Sequence, residues 1–366
     1  MAKRKKQSED DAFKEALEMV APGEALHDAI NAILQSQMGA LLCFGDVKRL
    51  SRLSEGGVKL DAAMTPQLLY ELSKMDGALI LNEDGTHIHY ANRFLKPADH
   101  YPTIETGTRH RAAQRFANHA KCVVLALSQR RSSVTLYCHT RRYELERVQV
   151  LVNKGVQMLQ TLDKYVETLR KTMNELTVRE LGDIVTIFDV CRVLQRAEMV
   201  DRIRQEVDPL LLELGDEGRL LELQLQETLL PLKDAQLVVR DYYKERAGVN
   251  PDVVHERIAS LTQEELLSLG NISQHLGYGP NLRSVDSYMT PRGYRILHSI
   301  NRLPPQLIDN LVEKLGSLHA IMNATREQLV DVEGVGDVMA ERIRGGLNLL
   351  ANQMTVTTGA DHGTRT

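Results

Sequence analysis

Gly39-Ala-Leu-Leu-Cys-Phe-Gly45 is an apolar run of strand length with a glycine at each end. A run this short, with no polar residue to face water, predicts a buried strand. Other segments read alike. Gly77 to Leu81 predicts a strand, Asn82-Glu-Asp-Gly-Thr86 a glycine-containing hairpin turn, and Ile88 to Asn92 the returning partner. Lys121-Cys-Val-Val-Leu-Ala-Leu-Ser128 predicts a fully buried strand, and Val134 to Cys138 another after a polar turn. Helices fall between them. Thr65-Pro66 offers an N-cap and a proline at the first helical position, with Leu68, Leu69 and Leu72 on one side. Ala112, Ala113, Phe116 and Ala120 mark a helix over 109–120. Strands alternating with helices over 11–147 imply an α/β domain with a mixed sheet.

The pattern then changes. Val148, Val152, Gly155, Leu159, Leu162, Val166, Leu169, Met173 and Leu176 alternate in steps of four and three, broken only by the glycine. That seam predicts a long helix packed lengthwise on others. Thr177-Val-Arg-Glu180 predicts a capping box opening the next helix, and Pro231 should kink or divide a Leu-rich stretch. Gly248-Val-Asn-Pro251 should break the pattern, and Thr262-Gln-Glu-Glu265 should cap a short helix. Residues 148–285 thus read as a helical spine without chemistry of its own. Thr290-Pro291, a further cap and proline pair, opens the last module over 286–352, where Thr325-Arg-Glu-Gln328 caps a helix. Residues 1–10 read as a disordered basic arm, and 353–366, lacking apolar periodicity, as a flexible tail. The fold class is multidomain, α/β followed by all-α.

Composition narrows the function. The 366 residues suggest two or three domains. Trp 0 and Phe 5 disfavour a single-strand binder built on stacking aromatics. A net charge of -4 supplies no global basic field for nucleic acid. Cys43, Cys122, Cys138 and Cys191 have no CxxC spacing, so buried thiols are expected rather than zinc ligands or disulfides. No apolar run approaches a membrane span or a signal-peptide core, so a cytoplasmic protein is expected.

Gly334-Val335-Gly336, followed by Ala340, Ile343 and Leu347, fits a helix-hairpin-helix. The glycines permit a tight turn and close approach of a DNA backbone, and their amides at a helix N-terminus suit a phosphate oxygen. Ile300-Asn-Arg-Leu-Pro-Pro305 before Ile308, Leu311, Val312 and Leu315 reads as a second, degenerate hairpin. Two such hairpins would hold phosphates without reading bases. Residues 286–352 carry seven Lys/Arg and eight Asp/Glu, so binding per module should be modest and salt-sensitive.

Two further segments suggest chemistry. Lys74-Met-Asp76-Gly77-Ala78 sets a carboxylate at the mouth of a strand. Glu105-Thr-Gly-Thr108-Arg109-His110-Arg111 enters a helix with amides, a hydroxyl and two guanidiniums, a cradle for polyphosphate. An acid nearby would hold a divalent metal or polarise a sugar hydroxyl. A turn aspartate and a solvated helix face remain the alternative reading of the same residues.

Taken together, Asp76-Gly-Ala and Thr108-Arg-His-Arg111, followed by a helical spine and a helix-hairpin-helix end, resemble the diadenylate cyclase family in its DNA-scanning form. The resemblance covers residues 11–350. It implies condensation of two ATP into cyclic di-AMP with release of two pyrophosphates, each protomer holding one ATP and two protomers completing a site. On this resemblance Asp76, Arg109 and Arg111 would be catalytic, with Asp76 also the metal ligand. Gly77 and Leu95 would line the nucleoside pocket, and Thr108, Arg109, His110, Arg111, Ala112, Ser128 and Arg130 would complete the ATP contacts. Gly334, Val335 and Gly336 would contact DNA. The family usually carries Thr or Ser at the position of Ala112, so a hydroxyl contact is lost here. Mg2+ or Mn2+, held mostly by phosphates and water, a homo-octamer, nucleoid association and inhibition of synthesis by branched or recombining DNA are further implications. The alternative from another class is a non-catalytic, nucleotide-sensing DNA-binding structural or repair protein. A Walker-type ATPase is disfavoured, since no GxxxxGK[ST] occurs.

Overall fold

The computed structural model describes residues 2–245, 249–281 and 286–360; Gly248, expected to break a helical pattern, lies outside them, as do 361–366. The chain divides into two compact units, Met1–Met158 with Glu206–Leu223, and Leu159–Gln205 with Gln224–Thr366.

The first unit holds strands β1 (Leu41–Phe44), β2 (Ser54–Glu55), β3 (Val58–Ala63), β4 (Ala78–Leu81), β5 (His87–Leu95), β6 (Val123–Ser128), β7 (Ser133–Cys138) and β8 (Arg141–Glu144). They form one mixed sheet in the order β2-β5-β4-β1-β6-β7-β8, with β3 added on β5. Helices α1 (Ala2–Val20), α2 (Ala25–Gln35) and α4 (Pro66–Leu72) lie on one face, α3 (Val47–Arg52) and α5 (Thr108–Ala120) on the other. Alternation within β1 feeds both layers. Leu42 and Phe44 join Phe13, Leu17, Ile30 and Ile33, while Leu41 and Cys43 join Leu50, Phe116 and Ala117. That two-sided burial is why the strand is apolar throughout.

Every strand expected from the sequence is present. β5 continues past Asn92 to Leu95, because Asn92 takes a left-handed φ of 56° within an irregular stretch of the β4–β5 pairing instead of ending the strand. Thr65 accepts from Leu68 N at 3.2 Å, so that cap forms with Pro66 behind it. All four cysteines are buried, and burial pushes the Cys122 and Cys191 thiols up to about 12.

α6 (Val148–Leu181) carries the expected seam, with Leu159, Leu162, Val166, Leu169, Met173 and Leu176 buried, and α7 (Ile187–Leu214) follows it. Gly155 is no interruption: a Cβ there would come within 2.8 Å of Leu221 and 3.2 Å of Leu210, so the seam narrows at that point. Pro231 does divide its stretch, opening helix Leu230–Tyr242 after helix Arg219–Thr228. The capping boxes at Thr262 and Thr325 both form.

Four local expectations fail. Thr177 does not cap a helix; its hydroxyl bonds back to Met173 O at 2.9 Å and α6 runs on to Leu181. Glu180 turns instead to the buried Arg295 and to Tyr242. Thr290-Pro291 does not open a helix either. The first turn of helix Tyr294–His298 is capped from a distance by Asp241, which accepts from the amides of Gly293, Tyr294 and Arg295. At the N-terminus, α1 is helical from Ala2, over the stretch read as a disordered arm. Its Ala, Lys, Arg, Gln and Glu favour helix. The final helix, Asp337–Ala360, likewise runs past 353 into the stretch read as a tail, since no helix breaker occurs there before Gly359.

Candidate active site and helix-hairpin-helix module

Sheet register gathers the N-terminal candidates. Leu41 stands opposite Ala78 on parallel β4 and opposite Ala126 on antiparallel β6. Gly39 before β1, Asp76 and Gly77 before β4, Ser128 closing β6 and Arg130 in the turn beyond therefore share one end of the sheet. Leu127 N donates to Ala40 O at 2.9 Å, tying β6 to the entry of β1. Leu95, by contrast, is buried with Ala78 and Phe116 beneath that surface.

Gly77 has a φ of 93°, and a Cβ on it would meet Arg93 O and Asn92 at 2.9 Å. Only glycine fits comfortably between the turn and the irregular β5. Arg93 fixes the neighbouring loop, donating from its guanidinium to the carbonyls of Ser51 at 2.8 Å and Ser54 at 2.7 Å. Asp76 is thus placed by backbone geometry and stands exposed.

The N-terminus of α5 begins with Gly107, and no side chain caps it. Its first amides remain available as donors, at the positive end of the helix dipole. Thr108, Arg109 and Arg111 are exposed there, while His110 and Ala112 are half-buried. The Arg109 guanidinium lies directly on Gly39, where a Cβ would collide with Nη1. The preceding loop is stapled to α5. Ile104 N and the Thr103 hydroxyl donate to Gln114 Oε1, and Arg115 donates to Tyr101 O at 3.1 Å.

His110 is held from below. Tyr137 donates its hydroxyl proton to Glu105 at 2.9 Å, and Arg142 donates to the same oxygen at 2.6 Å. Tyr137 has one proton to give, so toward His110, at 3.1 Å, its oxygen accepts. That assigns the proton to Nδ1 and leaves Nε2 with its lone pair. Burial lowers the His110 pKa against the opposing pull of Glu105, favouring the neutral ring. Burial works against ionised Glu105, yet the bonds from Arg142 and Tyr137 outweigh it and hold the carboxyl below its ordinary value. Burial, then Glu105, pushes the Tyr137 phenol well up.

Sequence reasoning missed Gly39, Arg93 and Tyr137, and gave Glu105 no role. None sits in a local pattern; each acts through a partner between 27 and 70 positions away. Among the described residues no three His, Cys, Asp or Glu side chains cluster to cage a metal ion. Asp76 is the one acid of this constellation at the strand mouths.

In the last module, Gly334 adopts φ 85° and Val335 N bonds to Val332 O at 3.0 Å, closing the tight turn before helix Asp337–Ala360. The upstream segment repeats it. Arg302, with φ 64°, occupies the place of Gly334, and Pro305 opens helix Pro305–Leu315 as Asp337 opens the later one. Ile300, Ile308 and Leu311 share a core with Val332, Val335, Ala340, Ile343 and Leu347. The second hairpin thus matches the first in its left-handed turn residue and in the helix that starts three residues later.

Comparison with known proteins bears on each part. Residues 27–142 match a family described as DisA bacterial checkpoint controller nucleotide-binding, 145–285 the DisA linker region, and 317–345 the helix-hairpin-helix motif. The chain is 42% identical over 349 residues to the DNA integrity scanning protein DisA of Carboxydothermus hydrogenoformans, covering 95% of this chain and 99% of that one. It is 42% identical over 345 residues to the same protein of Acetivibrio thermocellus, covering 94% and 96%. A crystal structure of DacA from Staphylococcus aureus aligns at 19% identity and a TM-score of 0.27, over 38% of this chain and 88% of that one.

Proposed function

The chain belongs to the family of DNA integrity scanning proteins, DisA, and on that premise we propose that it condenses two ATP into cyclic di-AMP under the control of bound DNA. The observation that carries the reading is the convergence of Asp76, Gly77, Gly39 with Arg109, Ser128 and Arg130 on one end of the sheet, beside the uncapped N-terminus of α5.

A triphosphate there would meet free amides, Thr108 and the guanidiniums of Arg109, Arg111 and Arg130. Phosphoryl transfer needs positioning and charge neutralisation more than covalent chemistry, and these groups supply both. The 3'-hydroxyl oxygen of one ATP would bond to the α-phosphorus of the other as the bond to pyrophosphate breaks. Asp76 would receive the hydroxyl proton or hold the hydroxyl in line. A bound Mg2+ or Mn2+ would neutralise developing phosphate charge. The single carboxylate of Asp76 fits an ion whose other ligands are phosphates and water. Neutral His110 would support the Arg109 backbone rather than contribute charge. Ala112 offers no hydroxyl.

The half-site is open, and Met75, Phe94 and Ile104 around it are 48%, 67% and 80% exposed. Apolar side chains left out at a site of this chemistry support pairing of two protomers across it, within an octamer as in the family reading. Branched DNA on the hairpin modules would restrain synthesis. The test is ATP with Mg2+ or Mn2+, product chromatography, and the response to saturating branched DNA. No cyclic dinucleotide from the folded oligomer rejects the cyclase, and synthesis indifferent to DNA rejects the control.

A further inference from the structure

We propose that the groove between Asn301-Arg302 and Arg342-Gly345-Gly346 binds a phosphate of the DNA backbone, and that it carries most of the salt-dependent affinity of the module. The inference rests on the DNA-binding reading of this module and goes beyond the Gly334-Val335-Gly336 turn.

Charge points there first. Four of the seven basic residues over 286–352 are already engaged. Arg292 donates to the carbonyls of Arg240 and Tyr243, Arg295 pairs with Glu180, Lys314 with Asp331, and Arg326 with Asp337 at 2.9 Å. Arg302, Arg342 and Arg344 have no ion pair among the described residues. Arg302 and Arg342 line the groove, whereas Arg344 does not. The glycine turn is the opposite case, flanked by exposed Glu333 and Asp337. A module with slightly more acid than base thus leaves uncompensated positive charge on both sides of one groove, Arg302 at the hairpin that lacks the glycines and Arg342 on the helix after the glycine turn.

Backbone chemistry agrees. Pro304 and Pro305 stand where the other hairpin has Gly336 and Asp337, and proline has no N–H. This hairpin is therefore short of the amide donors with which a glycine turn holds a phosphate, and side-chain donors must replace them. Arg302 and Asn301 are exposed at that turn.

Gly345 supplies the third observation. Glycine inside a helix is destabilising relative to alanine, and beyond its own helix backbone nothing among the described residues lies within 4 Å of where its Cβ would be. Its neighbour Gly346 is explained by packing, since a Cβ there would come within 2.7 Å of Ile300. No contact among the described residues requires glycine at 345. A phosphate backbone lying in the groove does, because it needs the helix surface bare.

The experiment measures duplex-DNA binding by the full-length protein across a NaCl series. Arg302→Ala/Arg342→Ala should weaken binding at low salt at least tenfold. It should also flatten log Kd against log[NaCl] by about 0.9 units per engaged module, the contribution of one phosphate contact. Arg302→Lys/Arg342→Lys should keep the slope. Gly345→Ala should raise Tm while weakening binding, a combination that a merely structural glycine would not give. Gly336→Ala should weaken binding with the slope unchanged. An unaltered slope in the folded double-alanine variant, or full binding by Gly345→Ala, overturns the groove. Failure of the unmodified protein to bind any DNA rejects the module's reading as well, and so is distinguished.

Discussion

The Arg109 guanidinium rests on the α-carbon of Gly39, in the space a β-carbon would fill. Gly39 precedes β1 and Arg109 is in the first turn of α5, so one contact joins the two elements proposed to hold the triphosphate. Position 39 needs no left-handed backbone; its glycine serves the arginine.

Gly39→Ala should cost about 1 kcal/mol, because the main collision is with the end of the flexible Arg109 side chain and the Leu127 carbonyl, at 3.1 Å, need shift only slightly. It should cost cyclase activity roughly 10- to 100-fold by displacing Arg109, the scale expected for misplacing a substrate-positioning group. Thermal unfolding and steady-state kinetics on one preparation separate the two effects.

Gly77→Ala should behave in the opposite way. The left-handed backbone and the 2.9 Å approach to Arg93 O make the substitution strained, and unfolding should show a loss of about 1–3 kcal/mol. Asp76→Asn, one residue earlier and exposed, should unfold like the unmodified protein.

His110 should titrate below 6.5 and be neutral at pH 7.5 with its proton on Nδ1, both visible in the ring 15N resonances. Because its folded pKa is depressed, the stability it contributes is present above its unfolded pKa and is lost as pH falls toward the folded value. Tyr137→Phe removes the acceptor and should release the fixed tautomer.

Arg295→Met should destabilise by about 3–5 kcal/mol, since it removes the cation from the buried Glu180 carboxylate and leaves it the Tyr242 hydroxyl. Glu180→Gln/Arg295→Met should recover much of that loss, because a neutral amide carries no charge to bury. Denaturant titration of both variants gives the coupling.

Short apolar runs such as Leu41–Phe44 were legible because burial on both faces leaves no other composition. Caps lying within four residues of their partners were legible too, as at Thr65 and Thr262. Interactions across the chain were not. Glu180 looked like a capping partner for Thr177 because its real partner lies 115 residues away. Thr290 looked like a cap because Asp241, some 50 residues earlier, could not be seen to do that work. At the candidate site, Asp76, Thr108, Arg109 and Arg111 were singled out through their motif, whereas the contacts of Gly39 and Tyr137 are visible only once the sheet is folded. In the hairpins, spacing pointed to the glycines, whereas unpaired charge settled at Arg302 and Arg342.

The central claim is that the end of the sheet bearing Asp76 joins two ATP molecules. It is tested most directly by product chromatography of the full-length oligomer and its Asp76→Asn variant, with ATP and Mg2+ or Mn2+. The account predicts a cyclic dinucleotide and pyrophosphate from the first, and neither from the second at equal Tm and oligomer size. Undiminished synthesis by Asp76→Asn, or none by the unmodified oligomer, would contradict it.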